Sequence, residues 1–129
     1  NKPYQVRRDI RIWVFQGILH ARLSSQMNNA IRNGIAWSNS NTCTTFDPTN
    51  NMACEVYLHG NHIATVTDTE VILFDGGYQS NTTKSRLNAI INEFTDGTQN
   101  GVFQKNWTWF VTKNGVKEVF QNGVALAKS

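Results

Sequence analysis

The stretch that decides the fold is Cys54 to Gly77, CEVYLHGNHIATVTDTEVILFDGG. β-Branched and aromatic residues alternate with polar ones around Gly60-Asn61, the period of two that a half-buried strand requires. Cys54 to His59 therefore reads as one strand, Gly60-Asn61 as a two-residue hairpin turn, and His62 to Thr67 as the returning strand. Asp68-Thr69 gives a second tight turn into Glu70 to Phe74. The result is a three-stranded antiparallel meander.

Upstream, Asn41 to Asp47 is rich in threonine and reads as a strand, with Pro48 to Asn51 turning after it. Ile10 to Gln16 reads as another strand. From Ile18 the period lengthens, and Leu19, Leu23, Met27, Ala30 and Ile31 mark one face of a helix stopped by Asn33-Gly34. Downstream, Leu87, Ile90, Ile91 and Phe94 mark a second helix, ended by Asp96-Gly97. Trp107 to Thr112, the Asn114-Gly115 turn, Val116 to Phe120 and the Asn122-Gly123 turn make a second meander. The order β-α-β-β-β-β-α-β-β-β predicts an α+β fold: an antiparallel sheet built from two β-meanders, with two packed amphipathic helices in a single compact domain.

A chain of 129 residues suits one such domain. Residues 1–40 read as a basic strand-helix extension and residues 41–129 as the main unit. Hydrophobic residues make up 40% and charged ones 16%, which excludes a disordered composition. No run approaches the ~20 apolar residues of a membrane span, and the basic N-terminal residues lack the apolar core of a secretory leader. The formal charge is +3. Lys2, Arg7, Arg8, Arg11, Arg22 and Arg32 stand against Asp9 alone in the first quarter, so positive charge gathers there. Cys43 and Cys54 read as free thiols on the expectation of a reducing compartment.

The clearest candidate site is DGGYQSNTTKSRLN, Asp75 to Asn88. Ser80 or Asn81 caps the second helix, leaving backbone N–H groups at the positive end of its dipole. Lys84 and Arg86 stand where carboxylates are the favourable neighbours. A shared anion, phosphate foremost, would explain them, with Thr82 and Thr83 supplying hydroxyls and Gly77 a close backbone approach. Helix capping alone explains the threonines but leaves the cations unexplained.

VYLHGNHIATV, DGGYQSNTTKSRLN and the closing WTWFV…NG resemble a family of small uncharacterised bacteriophage proteins with a YLHGN.IA, GW.T.TTK.RLN and tryptophan-hairpin pattern. Tyr57, Leu58, His59, Gly60, Asn61, Ile63, Ala64, Gly77, Thr82, Thr83, Lys84, Arg86, Leu87 and Asn88 match. Tyr78 stands for a tryptophan and Ser80 for a threonine. The resemblance spans roughly Asn41 to the C-terminus. It implies a phage origin and the cytoplasm of an infected bacterium, with the virion as the other setting, and it assigns no activity.

His59 and His62 flank the expected hairpin turn but lack the further convergent ligands a metal needs. Trp107 and Trp109 alternate between Lys105 and Lys113, so they either stack bases on an open sheet face or cover a helix from within. Arg7, Arg8 and Arg11 offer a positive strand edge suited to phosphates or to blocking edge pairing. No phosphate loop, nucleophile elbow or zinc-protease motif occurs, which points away from enzyme chemistry and from a cofactor.

The leading expectation is a non-enzymatic phage accessory protein that holds nucleic-acid backbone through Thr82, Thr83, Lys84, Arg86 and Gly77, supported by Arg7, Arg8, Arg11 and Lys105. Two other readings stand beside it. One is an inhibitor or adaptor of a host enzyme, with Tyr57, Tyr78, Trp107 and Trp109 as anchors. The other is an oligomeric virion component.

Overall fold

The computed structural model describes residues 21–129. The strand expected from Ile10 to Gln16, with Arg7, Arg8 and Arg11, lies outside the described residues, as does the start of the first helix. Helix α1 occupies residues 21–33 and turns Met27, Ala30 and Ile31 inward. It ends as its sequence requires. Gly34 takes φ +67°, its N–H bonds Ile31 O at 3.4 Å, and the Ile35 N–H bonds Ala30 O at 3.0 Å, which together close a Schellman motif.

Nine strands and a second helix follow. β1 (Trp37–Asn39), β2 (Thr42–Asp47), β3 (Ala53–Leu58), β4 (Asn61–Val66) and β5 (Glu70–Leu73) pair antiparallel in sequence order. α2 (Asn81–Phe94) follows, then β6 (Gly101–Lys105), β7 (Thr108–Lys113) and β8 (Val116–Val119) as a separate three-stranded sheet. β9 (Val124–Ala127) leaves that sheet and pairs with β5, completing a six-stranded first sheet. The α+β architecture with two antiparallel meanders and two packed helices is as expected.

Three local readings are corrected. The β3–β4 turn is His59-Gly60 and not Gly60-Asn61, with φ +52° and +77° at the two positions. A type I′ turn needs both residues left-handed and favours glycine at the second, so His-Gly fits where Gly-Asn does not. His59 thus belongs to the turn, and His62 has no cross-strand histidine. One residue of β4 is also bulged: Val56 pairs with Ala64 and Tyr57 with His62, leaving Ile63 over. The segment after Asn122-Gly123 does not extend the second meander; the Gly123 N–H bonds Leu73 O at 2.7 Å and steers β9 to the first sheet.

Both sheets and both helices share one core. Val56, Leu58, Ile63, Val71, Leu73 and Leu126 come from the first sheet, and Val102, Trp109 and Val111 from the second. Leu87, Ile90 and Ile91 of α2 are each 0% exposed between them. Full burial of such a side chain stabilises by about 1.5–3 kcal/mol, so α2 is the centre of the hydrophobic contribution.

Polar bonds fix how α2 lies along β6. Asn88 Nδ2 donates to Val102 O at 2.9 Å, and the Val102 N–H donates to Asn88 Oδ1 at 2.8 Å. A carboxamide carries the donor and acceptor of a peptide group, so Asn88 serves β6 as a neighbouring strand would. One turn earlier, Lys84 Nζ donates to Gln104 Oε1 at 3.2 Å. Four helical residues rise about 6 Å and two strand residues about 6.7 Å, so successive turns meet alternate strand residues.

The cysteines sit on opposite faces of the first sheet. Cys43 lies across from Tyr57 and Cys54 from Phe46, positions of opposite parity on β2, so the two cannot bridge. Both are free, and burial, with the Glu55 carboxylate adding to it, pushes the Cys54 thiol up to about 12.

Two outcomes follow. Asn88→Ala strips Val102 of both partners and should cost about 2 kcal/mol in urea unfolding, with Asn88→Asp no better because it sets a carboxylate against a carbonyl; a loss under about 0.5 kcal/mol would contradict the strand-mimic role. At pH 8, iodoacetamide should label Cys43 first and leave Cys54 untouched until the chain unfolds, as peptide mass mapping would read.

Candidate nucleic-acid interface

The mouth of α2 is built as a cap. Ser80 sits at N-cap with extended φ and ψ, and its hydroxyl accepts the Thr83 N–H at 3.1 Å. The Thr83 hydroxyl lies 2.9 Å from Ser80 Oγ, and Thr83 is 3% exposed. Its oxygen is thereby used and enclosed. Thr82 and Lys84 are half-buried at the surface, and the first turn holds no acidic residue. The Gly77 N–H donates to Asp75 Oδ1 at 2.8 Å, so this amide serves the loop itself.

Lys84 and Arg86 do not converge. Two residues along a helix turn the side chain by about 200°, which sends them to opposite sides. Lys84 reaches β6, whereas Arg86 is 1% exposed and donates from Nε to Thr42 Oγ1 on β2 at 3.1 Å. Burial lowers the Arg86 pKa from its ordinary value. The expected pocket of Thr82, Thr83, Lys84, Arg86 and Gly77 is therefore divided among a cap, a loop and two separate surfaces. Neither cation is paired with Asp75 or Glu93. Asp75 holds the loop through Gly77 and Gln79, and Glu93 pairs with Arg32.

The tryptophans also part company. Trp109 is 1% exposed and packs edge-on against Phe120 at 5.3 Å, inside the core. Trp107 is 91% exposed and lies in the β6–β7 turn, where Asn106 and Trp107 take φ +52° and +65°. That conformation costs a non-glycine residue roughly 1–2 kcal/mol, and exposure of an indole adds nothing to stability in return. Trp107 borders a shallow groove with Lys84, Gln104 and Asn106. Of the other aromatic candidates, Tyr78 is 76% exposed beside the helix mouth, and Tyr57 is half-buried with its ring 5.6 Å from that of His62. His62 itself is held by Glu55 Oε2 at 2.6 Å and Thr65 Oγ1 at 2.8 Å.

Strand register reveals a face the sequence reading missed. Phe103 pairs with Phe110 and Phe110 with Val119; Lys105 pairs with Thr108 and Thr112 with Lys117. All of these share the side of the second sheet opposite Val102, Trp109 and Val111. Phe103 and Phe110 stack at 5.5 Å with a 21° interplanar angle, and Lys117 Nζ lies 5.1 Å from the Phe110 ring centroid. Lys105 is exposed and Val119 is 56% exposed. No acidic residue belongs to this face, and Phe103 and Phe110 are half-buried on it. The signal was present in the alternation of VFQK and TWFVTK, but two tryptophans drew attention to the opposite parity.

Among the described residues no helix is long and apolar enough to cross a membrane. No curated protein and no solved structure matches the chain. A model of phage proteins, described as Kyanoviridae Gp96 protein, matches residues 21–127, from the first described residue of α1 to the end of β9. That match begins well upstream of Asn41, where the quoted motifs start, and so covers α1 and β1 as well. The phage resemblance carried by YLHGN and TTKSRLN is thereby made definite: the chain belongs to the Kyanoviridae Gp96 protein family.

Proposed function

We propose that this phage protein binds single-stranded nucleic acid, without catalysing a reaction, in the cytoplasm of the infected bacterium. The observation that carries the reading is the acid-free face of the second sheet, where the Phe103–Phe110 stack lies between Lys105 and Lys117. Bases stack on aromatic rings whatever their identity, and lysines alongside meet the phosphates, so such a surface binds with little sequence preference. Trp107 at the hairpin tip, with Lys84 behind it on the α2 side of the sheet, would let a nucleic-acid strand pass around the tip toward the mouth of α2. The basic helix end thus contributes Lys84, while the aromatic sheet supplies the platform.

The adaptor and virion readings draw on the same exposed residues. Val116 and Val119 on β8 are 64% and 56% exposed, and no described strand covers the outer edge of β8. Lys117 and Glu118 occupy half of that short strand, and edge charges of this kind oppose pairing with a second copy. Nucleic acid is therefore the better-supported partner.

Fluorescence anisotropy with a labelled thymidine oligonucleotide tests the proposal. Affinity should fall with rising salt at a log–log slope of about −2 if three lysines meet phosphates on a single strand. Lys105→Ala with Lys117→Ala should flatten that slope without unfolding the protein, because both side chains are exposed. Phe110→Ala should weaken binding by about tenfold or more, the loss of one stacked base. Absence of binding at about 20 mM salt, where electrostatic association is strongest, would reject the reading. Indole emission should be quenched on binding in the parent protein, and Trp107→Phe should remove most of the change.

A further inference from the structure

Arg86 is buried without a carboxylate. Its Nε is satisfied by Thr42 Oγ1, and the Thr42 hydroxyl in turn donates to Asn41 Oδ1 at 2.8 Å. Its Nη1 is fully buried and has no hydrogen-bond partner. Removing a guanidinium from water without an opposing charge is among the costlier arrangements a fold tolerates, and buried arginines are ordinarily met by an acid or a bound anion. Among the described residues no acid meets this one.

The side chain lines a cleft of about 450 Å³ between α1 and the β1–β2 turn. Arg22, Leu23 and Gln26 border it from the helix, and Asn39, Ser40 and Asn41 from the turn. Two cations and no acid are among these residues. Across the rim Asn39 Nδ2 donates to Gln26 Oε1 at 3.0 Å, joining the turn to the helix. Leu23 gives one wall an apolar surface.

We propose that this cleft binds a small oxyanion, a phosphate or carboxylate group, on the Arg86 guanidinium at its inner end, with Arg22 closing on it from the rim. With Nε committed to Thr42, the guanidinium keeps its Nη donors, of which Nη1 has no partner, for an oxygen of either group. The volume exceeds a bare anion and falls within the range of small-molecule sites, so the natural ligand carries a compact body against Leu23. This site is separate from the nucleic-acid face, because Arg86 and Lys84 leave α2 on opposite sides.

Thermal unfolding at constant ionic strength tests the site with two probes, inorganic phosphate and acetate, each replacing chloride. In the parent protein one of the two should raise the melting temperature along a saturating curve, by several degrees at ligand well above its Kd. Salting effects grow without saturating and are thereby set apart. Saturation by phosphate alone assigns a phosphate ligand, and saturation by acetate alone a carboxylate. Arg22→Gln, on an exposed side chain, should raise the apparent Kd about fivefold or more, and Arg86→Lys should do so further by removing the Nη donors. Should Arg86→Lys fail to fold, the Arg22→Gln shift decides. Lack of saturation with either probe, as when the chain itself fills the cleft, overturns the proposal, and so does an Arg22→Gln curve identical to the parent's.

Discussion

Helix α2 is the constraint on which the molecule rests, because it is the element that two sheets with no common strand both pack against. Its apolar stripe of Leu87, Ile90 and Ile91 enters the shared core. On one flank Asn88 completes the hydrogen bonding of β6, and on the other Arg86 reaches Thr42 of β2. Apolar burial gives such an interface its strength but little direction. The side-chain bonds fix how far the helix slides and turns, and hence how the second sheet sits on the first.

Seen from the helix, TTKSRLN is a set of fastenings. Thr83 closes the cap, Lys84 and Asn88 follow β6, Arg86 faces β2, and Leu87 fills the core. Read along the chain, the same residues resemble a single cluster of hydroxyls and cations. A helix distributes neighbours in sequence around its axis, and a cluster in sequence becomes a cluster in space only at three- or four-residue spacing.

Much of the fold was legible because its elements are long enough to show their period. β3 and β5 alternate, and α2 repeats its apolar positions over fourteen residues. β1 has three residues, too few to show any period. The partner of β9 was hidden for another reason: pairing is settled by tertiary packing, and nothing local in VALA names β5. The β6–β7 turn escaped because Asn106-Trp107 contains no glycine, and an aromatic residue counts toward a strand. With Trp107 in the turn and Trp109 in the core, the outward aromatic pair is Phe103 and Phe110 on the opposite face. Of the candidate interface, Lys84, Lys105 and Trp107 were legible, whereas Phe103, Phe110 and Lys117 needed the register.

The return of β9 to β5 has a consequence for how the molecule is made. During synthesis the first sheet can gather β1 to β5 early, yet its β5 border stays unsatisfied while α2 and the whole second meander are still being translated. Only when Val124–Ala127 emerges does that border close. An exposed apolar strand waiting that long is an opportunity for chaperones and for mispairing between nascent chains. β9 therefore seals the first sheet only after α2 and the second meander have been made.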